Sequence, residues 1–528
     1  MEKKEITSWT RKIARNTIYN IAGQIFVMAL VFILTPYIVG KLGLIRYGIW
    51  GIVSALMGYF RFFDFGLKNA FAKYIAEYNA KKETAEMMGV LNTGLVFYAA
   101  VSIVLFIIAY FFTKPLVVFL NIEPVLRVEA YRVIILGVIF FCLTIITSPF
   151  EALQHGLQRM DIFNIVVIGI SVLMAAGTVF FLEAGYGLTG LMVNNIIVTL
   201  IKGTVNILIA RRLLGGIRFN PRDFLPVRFY RLFAFGFKMQ LTRIGTIVAH
   251  QTDKLLITYF LSLGLVGYYH LGCSVVYYLN LIPALLVSAL MPAFSEMEAM
   301  GNRGKLRYVY LRCTRYVSFA VFPIFCFAIL ISSHFISLWM GPGYSMSANV
   351  IRILAAGWMV NALVGVGVSA SMAIDKPQLM SYSAVSMAIL NIGLSIFLIK
   401  RFGFFGAALG TSIAVVAGSL IFIILINKEL NVSFREFTEH FRVFLMLSLA
   451  SAPFFLAAEA ASRLFSDPAS RINQFIILVI ESVIFFSAYL GGLIIIKPFE
   501  TADEELLRDK FPRAYLVLRK ALSFVRGY

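Results

Sequence analysis

Arg243, His250, Asp253 and Lys254 all fall within one apolar stretch, residues 232–260. A stretch of that length reads as a membrane-crossing helix. An ionisable group there costs about 2.5 kcal/mol or more on insertion scales. At roughly 100° per residue, Arg243, His250 and Lys254 lie within about 40° of one another, flanked by Thr246 and Asp253. Lipid would not tolerate such a stripe, whereas a water-filled cavity would. The chemistry it suits is a cationic lumen holding an anionic group such as phosphate or pyrophosphate. Two residues carry a second reading. Lys254 is about two turns from the outer end of its span and is placed to snorkel. His250 serves equally as a hydrogen-bonded structural histidine.

A second charged group surrounds the end of the stretch 47–64. Ser54, Arg61 and Lys68 recur every seven residues, and Asp64 follows Arg61 by three. On one continuous helix they share a face, and Arg61 and Asp64 are expected to pair at i,i+3. They face either the lumen or the cytoplasmic interface. Polar faces also occur at Asn16, Asn20 and Gln24, and at Asn194, Asn195 and Lys202. Glu459 and Glu481 lie in the last two apolar stretches; Glu481 is either a proton site or a helix–helix hydrogen bond. The pairs Tyr268/Tyr269 and Tyr277/Tyr278 either stack on sugars or anchor at the interface. The substrate-binding candidates are therefore Arg61, Asp64, Lys68, Arg243, His250, Asp253 and Lys254. The ion-coupling candidates are Asp64, Asp253 and Glu481.

These groups sit in a chain built for lipid. Its 528 residues are 60% hydrophobic and 14% charged, with a mean hydropathy of +0.85. That balance excludes a soluble globular protein, and the continuous apolar runs exclude a β-barrel. The net charge of +20 fits basic loops facing an anionic leaflet rather than nucleic acid. Cys142, Cys273, Cys313 and Cys326 have no CxxC spacing, so neither a metal site nor a disulfide framework is expected. The N-terminus carries Lys3, Lys4, Arg11, Lys12 and Arg15 before a full-length span, unlike a cleaved signal peptide.

The fold class expected is an all-α polytopic membrane protein with about fourteen spans. They run roughly through 16–39, 47–64, 89–112, 131–149, 162–182, 188–210, 232–260, 264–291, 316–338, 349–373, 378–399, 404–427, 441–462 and 473–496. Lys and Arg concentrate in alternate loops, which puts both termini in the cytoplasm. The loops on the other side are short. Residues 1–210 form a six-helix N-terminal lobe and 232–427 a six-helix C-terminal lobe. The basic segment 211–231, with Pro221 and Pro226, is a cytoplasmic linker. Residues 428–496 hold helices 13 and 14, and 497–528 form a basic cytoplasmic tail. The lobes look like a repeat. Lys41-Leu-Gly-Leu-Ile-Arg-Tyr-Gly48 answers Ser262-Leu-Gly-Leu-Val-Gly-Tyr-Tyr269, and Gly187-Leu-Thr-Gly190 answers Gly403-Phe-Phe-Gly406. Six spans per unit keep the same orientation, so the repeat is parallel about a pseudo-twofold axis along the membrane normal.

The chain has no Walker A glycine loop, no HExxH and no GxSxG, and its outer loops are too short for paired catalytic acids. No enzyme, cofactor or metal is expected. The order Asn16-x-x-x-Asn20, Pro36…Lys41-Leu-Gly43…Tyr47-Gly48, Phe63-Asp-Phe-Gly-Leu67-x-x-Ala70 resembles the polysaccharide (O-antigen type) flippase family. That family belongs to the multidrug/oligosaccharidyl-lipid/polysaccharide exporter superfamily. Thr252-Asp-Lys-Leu-Leu-Ile257 and Gly403-Phe-Phe-Gly-Ala-Ala408 add to the resemblance, which covers nearly the whole chain. It implies two six-helix bundles in a V that alternates between inward- and outward-open states. It also implies a cationic central cavity and a lipid tail accommodated by spans 13 and 14. The cargo would be a polyprenyl-pyrophosphate-linked oligosaccharide, carried from the cytoplasmic to the outer leaflet of the inner membrane. The partners implied are that lipid, the membrane lipids and a coupling ion (H+ or Na+) or the membrane potential. The alternatives are a lipid II-type flippase, a multidrug or cation antiporter of the same superfamily and, from another class, a membrane glycosyltransferase or polymerase.

Overall fold

A computed structural model describes residues 2–216, 219–220, 223–241, 243–287, 290–465, 471–496 and 498. The expected basic tail at 497–528, Pro498 apart, and the side chains of Asn16 and Asn20 lie outside the described residues, as do Arg218 and Arg222. No strand occurs among the described residues. In lipid every backbone polar group must be satisfied within the segment, which leaves a continuous apolar run only the helix.

The helices are α1 (Glu2–Leu42), α2 (Leu44–Phe60), α3 (Leu67–Ala80), α4 (Thr84–Phe119), α5 (Arg127–Gly156), α6 (Met160–Glu183) and α7 (Gly187–Leu213). Then follow α8 (Pro226–Leu241), α9 (Ile244–Phe260), α10 (Leu263–Leu279), α11 (Leu281–Val287), α12 (Leu290–Ala299), α13 (Arg303–Met340) and α14 (Ser345–Asn361). The last are α15 (Val364–Ala373), α16 (Gln378–Phe402), α17 (Phe404–Glu429), α18 (Phe434–Glu439), α19 (Arg442–Phe465) and α20 (Arg471–Ile496). Twelve helical stretches among the described residues are long and apolar enough to cross a membrane. They coincide with twelve of the fourteen expected spans. The two exceptions, 47–64 and 232–260, are the two that carry the charged groups.

Both exceptions are broken helices. α2 stops at Phe60, and Arg61–Asp64 continue as a 3-10 turn. Phe65 (φ 49°) and Gly66 (φ 70°) then turn left-handed before α3 begins. A β-carbon on Gly66 would strike the backbone of Gly236 in α8, and one on Gly236 would strike the Phe65 carbonyl. Only a pair of glycines lets α8 lie against that turn. The stretch 232–260 divides into α8 and α9, with Arg243 at the N-cap of α9. The expectation of one uninterrupted helix through each stretch is therefore corrected. So is the single face shared by Ser54, Arg61 and Lys68, because 61–66 is not α-helical.

The chain forms two compact units, Met1–Ser274 with Met380–Gly418, and Val275–Leu379 with Ser419–Tyr528. In the first, α5 packs against α3, α4 and α7 around Phe71, Tyr98, Val138 and Leu153. In the second, α13 packs against α14, α19 and α20, with Phe327 set among Phe455, Phe485 and Phe486.

Within the first unit the repeat becomes a contact. A β-carbon on Gly48 would strike the carbonyl of Leu263, and one on Gly267 would strike the carbonyl of Leu44. Leu44 and Leu263, like Gly48 and Gly267, stand 219 positions apart in the chain, two fewer than the 221 of the pairing Lys41/Ser262 read from sequence. Residue i meets j′ and j meets i′, which is the signature of a twofold relation. A second correspondence lies on α6/α7 and α16/α17. Asn194 donates to the Met174 carbonyl (3.0 Å) and to Thr178 Oγ1 (3.3 Å). Their counterparts 217 positions on are Thr411, Asn391 and Ser395. Asn391 there donates to Thr411 Oγ1 at 2.7 Å.

Candidate functional site

Asp253 stands at the centre of that second set. It lies on α9, 1% exposed, and is enclosed by hydroxyl groups. Tyr269 of α10 and Thr411 of α17 donate to Oδ2, and Ser395 of α16 donates to Oδ1 at 3.1 Å. Asn391 orients Thr411 by donating to its hydroxyl oxygen. α9 reaches α16 closely because Gly245 has no side chain; a β-carbon there would strike the Ala384 carbonyl. The result is one buried carboxylate in a shell of neutral oxygens, a setting that can hold a proton or a small hard cation. Counting back 219 positions puts the equivalent of Asp253 at Leu34 in α1, with Thr35, Pro36 and Tyr37 after it. Asp253 is thus a feature of one repeat only.

Lys254 is also buried, and its Nζ donates to Gln251 Oε1 at 3.1 Å. The snorkelling reading is corrected: the ammonium turns inward along its own helix. His250 is half-buried on α9. Next to this group Tyr59 of α2 shares a hydrogen bond with Thr252 (2.5 Å). Tyr269, read from sequence as a sugar platform or an anchor, is instead a buried ligand of Asp253, whereas Tyr277 is exposed.

The broken ends form a second cluster in the same unit. Gln240, at the end of α8, joins them. Its side-chain amide donates to the Arg61 carbonyl (3.1 Å), and its own carbonyl accepts from the Arg243 N–H (3.0 Å). Arg61 and Arg243 are both exposed, and neither guanidinium has an ion-pair partner among the described residues. The expected Arg61–Asp64 pair does not form. Asp64 accepts from Tyr98 Oη at 2.5 Å instead, with Lys68 and Arg243 within electrostatic reach. Residues three apart eclipse in a 3-10 turn, so the turn alone would allow the pair; Tyr98 takes the Asp64 oxygen instead, and the Arg61 side chain is exposed.

Lys68 is neutralised differently. Glu151 of α5, 5% exposed, accepts from Lys68 (2.8 Å) and pairs with Lys202 of α7. One carboxylate is shared by two lysines, and Lys68 also lies within electrostatic reach of Asp64. Six of the seven binding candidates therefore fall in two places. Arg61, Asp64, Lys68 and Arg243 surround the two breaks, and Asp253 and Lys254 lie deeper along α9.

Glu481 belongs to the second unit. It is fully buried on α20, and its Oε2 lies 3.0 Å from His334 Nδ1 on α13. Glu151, Gln240, Asn391, Ser395, Thr411 and His334 were not singled out from sequence as site residues. A signal for three of them was available: Asn391, Ser395 and Thr411 are polar residues in apolar spans that match Met174, Thr178 and Asn194 at one offset.

A family model described as "Polysaccharide biosynthesis protein" matches residues 13–298. The chain is 24% identical over 416 residues to a putative O-antigen transporter from Shigella flexneri, covering 78% of this chain and 96% of that protein. It is similar in structure to the lipid II flippase MurJ in an inward closed conformation, with a TM-score of 0.62, 17% identity, and 91% and 98% of the two chains covered. It is also similar to an inward-facing multidrug resistance MATE family transporter of the MOP superfamily, with a TM-score of 0.65, 12% identity, and 79% and 94% covered. At those identities the two structures speak for the fold alone, an all-α polytopic membrane protein.

Proposed function

The chain belongs to the polysaccharide biosynthesis protein family, and from that membership we propose that it is a flippase for a lipid-linked oligosaccharide. It is a transporter and not an enzyme. Its cargo is a polyprenyl-pyrophosphate-linked oligosaccharide, moved from the cytoplasmic to the outer leaflet of the cytoplasmic membrane. The printed name of the Shigella relative, an O-antigen transporter, supports a saccharide cargo.

One observation carries the reading: Gln240 ties the backbones of Arg61 and Arg243 together at the two breaks, and neither exposed guanidinium has an ion-pair partner among the described residues. The physical task is to take a doubly charged pyrophosphate and its sugar through hydrocarbon while the polyprenyl tail stays in lipid. Guanidinium forks match phosphate oxygens two at a time. The first turn of α9, which Arg243 opens, adds N–H groups not used within the helix. Broken helices at membrane depth are where transporters expose such backbone groups to a cargo. Lys68 and Lys202, which share Glu151, add two further cations.

In this proposal lobes 1–210 and 232–427 alternate in access, with both termini cytoplasmic. Asp253, in its shell of hydroxyls, binds the coupling ion, a proton or sodium. An antiporter for organic cations fits less well, because Asp253 is filled on both oxygens by Tyr269, Thr411 and Ser395.

Arg61→Ala and Arg243→Ala each remove a fork worth about 2 kcal/mol of headgroup binding, a loss of roughly thirtyfold. Both variants are expected to be inserted at normal levels and to display almost no cell-surface polysaccharide. Normal surface polysaccharide from both would overturn the reading.

A further inference from the structure

The deepest carboxyl group of the second unit has one oxygen unaccounted for. Glu481 Oε2 meets His334 Nδ1 at 3.0 Å, but Oε1 is buried with no hydrogen-bond partner. On the other side of the imidazole, His334 Nε2 lies 3.8 Å from Glu459 Oε1 of α19. The three groups form a line of changing exposure: the side chains of Glu459 and His334 are 20% and 29% exposed, and that of Glu481 is 1% exposed. The core cluster that α13, α19 and α20 share is largely aromatic, with Phe327, Phe455 and Phe485. Arg352 of α14 also meets α13 beside His334. Its guanidinium is engaged by Ser333 Oγ (2.8 Å), the Ile329 carbonyl and Asn349.

A buried carboxylate that leaves one oxygen bare is costly in its charged form, and proton uptake removes that cost. We propose that Glu481 is a proton-binding site, reached from the membrane face where α19 ends and α20 begins through a relay of Glu459 and His334. Protonated Glu459 gives its proton to His334 Nε2, and the proton on Nδ1 passes to Glu481 Oε2. The imidazole gains one proton and loses one, and Glu459 is recharged from water. Taking up the proton neutralises the only carboxylate that α20 holds against α13 among the described residues. The inference goes beyond the flippase reading and does not depend on the cargo.

The test uses the full chain in lipid vesicles and dicyclohexylcarbodiimide, which reacts with protonated carboxyl groups in apolar surroundings. Mass spectrometry then reads modification at Glu481. Modification is expected to be at least about fivefold greater at about pH 5 than at about pH 9. No modification at either pH, or the same amount at both, overturns the proposal. The relay has its own readout. After a step in pH outside the vesicles, Glu459→Gln is expected to slow the change in Glu481 modification by about tenfold, because it removes the entry group. An unchanged response overturns the relay. A purely structural hydrogen bond between His334 and Glu481 predicts no slowing in Glu459→Gln, and the wild-type measurement stands even if the variant misfolds.

Discussion

Asp253→Asn is expected to fold and insert like the wild type and yet lose at least about nine-tenths of its transport. Asparagine has the shape of aspartate. Its carbonyl oxygen can accept from Tyr269 and Thr411, and its amide can donate to Ser395, so the hydrogen bonds of the buried site are rearranged rather than lost. What disappears is the charge, and with it the ability to bind a proton or sodium ion. Asp253→Leu is expected to behave differently. It leaves the hydroxyls of Tyr269, Ser395 and Thr411 buried without an acceptor, at about 1–3 kcal/mol each. That variant should be lost before it reaches the membrane or elute as aggregate. The pair separates coupling from folding. Transport is read by display of cell-surface polysaccharide, and folding by the size-exclusion profile in detergent. Wild-type transport by Asp253→Asn would remove Asp253 from the coupling role.

The second large effect is steric. Gly48→Val puts side-chain atoms where the Leu263 carbonyl stands, and Gly267→Val does the same at Leu44. The helices must separate, at about 3 kcal/mol for each substitution. Thermal melting in detergent should show both as strongly destabilised. The control is Gly40→Ala on α1, where a β-carbon meets nothing within 4 Å. Removing a helix-interior glycine there should be neutral or stabilise by up to about 1 kcal/mol. Because both valines act on one crossing, the double variant should cost less than the two single costs added together. A melt of Gly48→Val equal to wild type would mean that α2 and α10 do not approach as described.

Which parts of this were legible in the sequence follows from the range of the forces involved. Apolar length sets a span, and apolar length is local, so twelve spans could be placed from the sequence. The breaks after Phe60 and Leu241 were not legible. Neither has a proline, and the first is packed through Gly66 and Gly236, which are far apart in the chain and whose backbones meet. The types of the charged residues were legible and their partners were not. Spacing suggested that Arg61 would pair with Asp64, three residues away. Asp64 instead took Tyr98, 34 residues on, and Glu151 took Lys68 from 83 residues away. Asp253 stood out at once as a carboxylate in an apolar run. Its ligands Ser395 and Thr411 lie 142 and 158 residues further along, and no local pattern points to them.

The crossing at Gly48 and Gly267 also has a consequence for descent. A duplicated chain would begin with two copies free to drift, and position 34, the counterpart of Asp253, is a leucine. These two glycines are not free in that way. Each copy's glycine is required by the other copy's backbone, so the constraint on one half is inherited through the other. In the lineage of this sequence, positions 48 and 267 are expected to change together or to stay as they are.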